Sequence, residues 1–191
     1  MKKVLLVLVL ASVLAAGAFA DWWDSYAEGL EQESVFINVG IGWGFFDYDI
    51  GIPPIMAAVD IKLPIDLPIT VGGFGSFSTQ KYSYIGISFA YTEISFGARG
   101  AYHFNFVKNL DLYGVLSLGY VIYSTSVSGA YYDGLSDYWK KWYEDLYTIP
   151  SKFYWGTSAG ARYFFTDLLG VYAELGWSAT TFINAGLTLK F

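Results

Sequence analysis

Asn184-Ala185-Gly186-Leu187-Thr188-Leu189-Lys190-Phe191 ends the chain, and its alternation decides the fold. Successive side chains of a strand point to opposite faces. Ile183, Ala185, Leu187, Leu189 and Phe191 therefore share one side, and Asn184, Gly186, Thr188 and Lys190 share the other. One face is oily and one is polar. The same period recurs upstream.

The spacing predicts eight strands, over about 34–46, 55–63, 69–78, 92–104, 111–123, 154–165, 170–179 and 182–191. In the first, Val35, Ile37, Val39, Ile41, Trp43 and Phe45 oppose Asn38, Gly40, Gly42 and Gly44. In the second, Ile55, Ala57, Val59, Ile61 and Leu63 oppose Asp60 and Lys62. The third is glycine-rich at Gly72-Gly73, which leaves its parity open and allows a bulge. In the fourth, Ile94, Phe96, Ala98, Tyr102 and Phe104 oppose Glu93, Ser95, Gly97, Arg99 and His103. The next three set Leu116 and Leu118, Trp155 and Tyr163, and Leu175 and Trp177 against Ser117, Arg162 and Glu174.

The chain is 54% hydrophobic, 20% aromatic and 15% charged, yet it offers no spanning helix beyond its first twenty residues. Within lipid, only helices and closed barrels satisfy every backbone hydrogen bond. Soluble barrels alternate too, so the question is which face can serve as the outside. The non-oily face is mostly Gly, Ser and Ala with a few balanced charges, a poor coat in water but a good filling for a narrow lumen. Trp43, Phe45, Tyr102, Phe104, Tyr163, Phe165 and Trp177 fall near strand ends, where interfacial girdles belong. The expected fold is all-β: an eight-stranded antiparallel up-and-down transmembrane β-barrel with a polar, side-chain-filled lumen. Connections 64–68, 105–110 and 166–169 are compact and expected on the periplasmic side. Connections 46–54, 79–91 and 124–153 are longer and expected outside, with 180–181 a short exception.

Lys2-Lys3, the apolar run Val4 to Leu14 and the small residues ending Ala18-Phe19-Ala20 have the layout of a secretory signal peptide cut between Ala20 and Asp21. The run is short for a membrane anchor. The organisation is then signal peptide 1–20, acidic periplasmic segment 21–33 and barrel 34–191. Losing Lys2 and Lys3 takes the net charge from −6 to −8, which argues against nucleic acid as a partner. With no cysteine there is no lipoprotein acyl site, disulfide or thiolate chemistry. In segment 21–33, Trp22, Trp23, Tyr26 and Leu30 allow one side of a short helix, and an acidic disordered lead-in is the alternative.

Charged residues on the lumen face are Asp60, Lys62, Glu93, Arg99, Arg162, Glu174 and Lys190, four basic against three acidic. Buried charge is costly unless paired, so interlocked bridges are expected. A hairpin with Phe165 facing Val171 sets Arg162 opposite Glu174. Eight strands leave room only for side chains, so a plugged lumen is favoured over a slender charge-gated pore. His103 is the sole histidine; Glu93 and Ser95 share its face but lie several ladder steps away, and no Gly-x-Ser-x-Gly elbow occurs. No catalytic residue, metal site or cofactor is expected.

In the longest connection, Ser136 fits an N-cap; Trp139, Trp142, Tyr143, Leu146 and Tyr147 follow helical spacing, and Pro150 ends the run. Two readings apply: an aromatic ligand-binding surface formed by Trp139, Trp142 and Tyr143, or, favoured, a helix on the barrel rim anchored at the membrane interface.

Asn184, Gly186, Leu189 and the terminal Phe191 resemble the C-terminal signal read by the bacterial outer-membrane assembly machinery. Together with Gly160-Ala161-Arg162-Tyr163-Phe164-Phe165 and Val171-Tyr172-Ala173-Glu174-Leu175-Gly176, they resemble the closing strands of small outer-membrane barrels of the OmpA/OmpX/OmpW type. The resemblance implies an outer-membrane location, with membrane lipid, the assembly machinery and an extracellular ligand or host surface as partners. Its members include structural proteins, adhesins and small-solute conduits. The expected function is a non-enzymatic structural or surface-interaction (adhesin-like) role, the alternative a narrow porin-like channel for small or hydrophobic solutes.

Overall fold

The computed structural model describes residues 34–43, 49–84, 86–107, 109–178 and 181–191. The expected signal peptide 1–20, segment 21–33, Gly44 and Phe45 lie outside them. Eight antiparallel strands form one closed barrel in sequence order: β1 (Val35–Trp43), β2 (Asp49–Lys62), β3 (Ile69–Tyr84), β4 (Ile87–Val107), β5 (Leu110–Ser128), β6 (Lys152–Phe164), β7 (Leu169–Trp177) and β8 (Ile183–Lys190). Between β5 and β6 stand two helices, α1 (Ala130–Asp133) and α2 (Asp137–Tyr147). Closure is made at the chain's ends: Val35 and Phe191 exchange both backbone hydrogen bonds, each 2.9 Å. The barrel therefore has no open edge there.

Face assignment follows the sequence parity throughout. Leu116, Leu118, Trp155, Leu175, Trp177 and Leu187 are exposed on the outer wall, while Asp60, Arg99, His103, Arg162 and Glu174 are buried within. Register through Gly72-Gly73 is continuous on both sides, so no bulge occurs there; irregularities fall instead near Ile50–Ile55 and between Phe104 and Val107.

Two sequence expectations are corrected. Tyr163, not Phe165, pairs with Val171, so Arg162 faces Tyr172 and Glu174 faces Gly160. The two-residue shift preserves parity, which is why the faces came out right while the partners did not. The stretches read as outer loops 46–54 and 79–91 are largely strand: β2 begins at Asp49, and β3 and β4 remain paired up to Tyr84 and Ile87. Likewise β4 and β5 stay paired up to Ser88 and Ser128, whereas β6 leaves β5 at Val121. β3, β4 and β5, with β2 along their edge as far as the Asp49–Lys81 pair, thus form a tongue that rises past the β5–β6 wall.

The tongue reverses the polarity of the wall. On the outward face, apolar side chains reach Phe77, Ile94 and Ile122, and the next outward positions are Thr79, Thr92 and Ser124. On the lumen-facing side of the tongue, Ile87 and Phe89 are buried with Tyr132 of α1, and Tyr91, Val127, Leu135 and Tyr143 pack around them. A small water-type core therefore begins where the lipid-facing belt ends.

Candidate functional site

The lumen carries one cross-braced cluster of charge. Arg162, on β6, lies fully buried at its centre, and Asp60 and His103 are equally inaccessible, each at 0% exposure. The Arg162 guanidinium is sandwiched between the rings of Phe36 and Tyr113, with centroids 4.6 and 4.2 Å from its carbon. Its edge donates to Asp60 Oδ2, to Asp111 Oδ2 at 3.1 Å and to Asn38 Oδ1 at 3.3 Å. Arg99 bridges the same Asp60, with Nε 2.9 Å from Oδ1 but its N–H not aligned on that oxygen, and it donates to Glu174 Oε1 at 2.6 Å. Tyr113 donates its hydroxyl to Glu174 at 3.0 Å. Gly160, opposite Tyr113, makes room for that ring: a Cβ there would run into it. Buried charges of opposite sign thus pair across strands β2, β4, β5, β6 and β7.

His103 extends the cluster. Its Nδ1 meets Asp111 Oδ1 at 2.8 Å, and its Nε2 lies 2.9 Å from Thr70 Oγ1. A hydroxyl, an imidazole and a carboxylate are therefore in hydrogen-bonding line, an arrangement the sequence reading did not find. Thr70 and His103 are fully buried, and Asp111 is also committed to Arg162. The relay acts as a crosslink between β3, β4 and β5.

Of the seven predicted lumen charges, Asp60, Arg99, Arg162 and Glu174 come together. Arg162 and Glu174 do not pair with each other; each takes another partner. Lys62 is also buried, but its Nζ caps the carbonyls of Leu63 and Ile65 at 2.7 and 2.9 Å in the turn beneath the barrel. Glu93 stands higher, accepting from Ser78 at 3.4 Å. Lys190 makes no ion pair among the described residues. Asp111, Phe36, Tyr113 and Thr70 were missed, and Asn38 was set on the lumen face without being named as part of the cluster. Asp111 had a signal, since it shares the parity of Ser117; the aromatic and amide partners had none beyond theirs. Above the cluster, a cavity of about 20 Å³ is lined by Ser76, Ser117, Ser158 and Tyr154 and ends on Arg99 and Glu174. That is room for about one water.

At the C-terminus, Asn184 is buried and its Nδ2 contacts Met56 Sδ at 2.9 Å, Gly186 faces the lumen, and Leu189 and Phe191 face out.

The second region is the helical cap on the tongue. Ser136 precedes α2 without a side-chain capping bond. Tyr132 donates to Glu144 at 2.7 Å; that hydrogen bond first, and burial second, push its phenol up to about 12. Lys140 lies 5.8 Å from the Tyr132 ring centroid, and Tyr147 packs on Phe89 at 4.5 Å. Tyr143 is half-buried in this contact, whereas Trp139 and Trp142 are 50% and 45% exposed. The helix packs on the lumen-facing side of the tongue rather than on the outward face of the wall. Phe89 and Val127 stand five residues beyond Ile94 and Ile122, the last lipid-type positions. At about 3.3 Å per residue and a tilt near 40°, that is on the order of 13 Å farther out.

No family model and no curated protein sequence matches the chain. Solved structures do. Ail, the attachment invasion locus protein of Yersinia pestis, crystallised in complex with the heparin analogue sucrose octasulfate, superposes with a TM-score of 0.52 at 15% identity, over 84% of this chain and all of Ail. A major outer membrane protein from Thermus thermophilus gives 0.53 at 14% identity, over 83% of this chain and 99% of that one. This chain has the fold of a small outer-membrane β-barrel. Identities this low carry the architecture alone, so chemistry has to be argued from the barrel's own residues.

Proposed function

We propose that this barrel is a non-enzymatic outer-membrane protein with a sealed lumen and a structural and surface-interaction role on its outer side. The observation that carries the reading is the Arg162 cluster, which spans the lumen with paired, buried charged groups from five strands. Phe36 and Phe164, with ring centroids 6.1 Å apart, add an apolar layer beside it. A cavity holding one water is no solute path, which weighs against the porin-like alternative. The Thr70–His103–Asp111 relay supports no enzyme, because its hydroxyl has no open face for a substrate.

The apolar belt and aromatic ends support residence among outer-membrane lipids, and the terminal pattern of Asn184, Gly186, Leu189 and Phe191 supports handling by the barrel-assembly machinery. The tongue and its helical cap are the part that reaches an extracellular ligand or host surface. A sulfated polyanion is not the ligand this chain suits: α2 carries Lys140 and Lys141 against Asp137, Glu144 and Asp145. Reconstituted in a planar bilayer, the protein should pass no stable single-channel current; regular openings by the unmodified chain would overturn the sealed reading.

A further inference from the structure

We propose that the exposed stripe of α2, formed by Tyr138, Trp139, Trp142 and Leu146, is a stacking platform for uncharged sugar rings. The inference rests on the surface-interaction part of the reading above and names the partner class. A contiguous exposed apolar stripe marks a contact surface, and this one belongs to a cap packed against the inner side of the tongue, beyond the outward apolar positions Ile94 and Ile122. Tyr143 and Tyr147 on the neighbouring flank already have their partners in the tongue core, so the stripe is not spare core surface.

Its chemistry is selective. Three of the four members are aromatic and held edge to face, Tyr138 to Trp139 at 5.5 Å and Trp139 to Trp142 at 5.8 Å. Such contacts present flat, electron-rich faces in a fixed order with little rotamer freedom left to lose. The C–H face of a pyranose ring carries the complementary weak positive charge. Sugar hydroxyls both donate and accept, and the exposed flank holds groups of both kinds, Lys141 with Asp137 and Asp145 on the same face. The remaining charges nearest the stripe are engaged: Lys140 with the Tyr132 ring and Glu144 with the Tyr132 hydroxyl. The platform thus has no surplus of basic charge to select an anion.

The test is binding of the reconstituted full-length barrel to an array of neutral hexose and N-acetylhexosamine oligosaccharides, with heparin alongside. At least one neutral oligosaccharide should bind. The double variant Trp139→Ala/Trp142→Ala should lose tenfold or more of that binding, and Trp142→Phe should keep it within a few-fold. All should retain the heat-dependent gel shift of a folded barrel. Binding to heparin alone, no binding to any neutral oligosaccharide, or full binding by the double variant overturns the proposal. So does quenching of the fluorescence lost in the double variant by brominated phospholipid, which would put the stripe in lipid. A silent bilayer with no sugar binding removes the platform alone; stable currents with sugar binding intact remove the sealed lumen alone.

Discussion

Strands β3, β4 and β5 pass through two solvents, and the molecule is built oppositely in each. In the barrel wall their outward faces are largely apolar, with Phe77, Ile94, Phe96, Leu116 and Leu118, and their inward faces carry the charges and hydroxyls beside a small apolar cluster of Ala101, Tyr113 and Val115. In the tongue the outward face turns to Thr79, Thr92 and Ser124, while Ile87, Phe89 and Val127 turn oily on the inner side. Backbone parity never slips between the two; the β4–β5 register is unbroken from Ser88 to Phe104. What changes is the medium. Where lipid surrounds the sheet, burying apolar groups inside gains nothing and the polar groups must be enclosed. Where water does, the ordinary hydrophobic core returns, and α1 and α2 supply its other half.

The largest break in that contrast is expected at Arg162. Arg162→Met leaves Asp60 and Asp111 buried without their shared cation and should cost about 3–5 kcal/mol of barrel stability, read by denaturant unfolding in lipid vesicles. A variant as stable as the parent would mean the cluster is not closed as described. The position of the solvent boundary comes next. Leu116→Arg, in the lipid-facing belt, should destabilise by about 2–4 kcal/mol, whereas Ser126→Arg, on the same face beyond Ile122, should cost close to nothing. Equal penalties would erase the boundary. The smallest effect belongs to the tongue. Because the Tyr132 phenol is held up to about 12 when docked against about 10 free, its contribution is complete below pH 10 and fades as pH rises through 12. Proteolysis within 134–150 should accelerate over that window in the parent and not in Tyr132→Phe; identical profiles would deny the Glu144 bond its role.

Much of this was legible in one dimension. Period-two alternation placed all eight strands and, in all but the third, sorted the named side chains to their faces, since parity is a local property of extended backbone. The helix around Trp139 and Trp142 was legible for the same reason, from 3.6-residue spacing. The loops at 79–91 were misread because Tyr, Ser and Thr alternate weakly once the outer face must be wet. The Arg162–Glu174 pairing failed because a hairpin slipped by two residues keeps the same faces and the same sequence pattern. Asp111 shows the limit from the other side. Its parity pointed inward, but its partnership with His103 and Arg162 arises from strands 8 and 51 residues away.

The amino-acid order by itself determined the strand count, the greasy outside and the polar filling, because each follows from neighbours two residues apart. Only the closed tertiary structure decided which charges meet across the lumen and that α2 packs on the inner side of the tongue. Those contacts depend on register and closure, and two residues of slip change every partner without altering a single face.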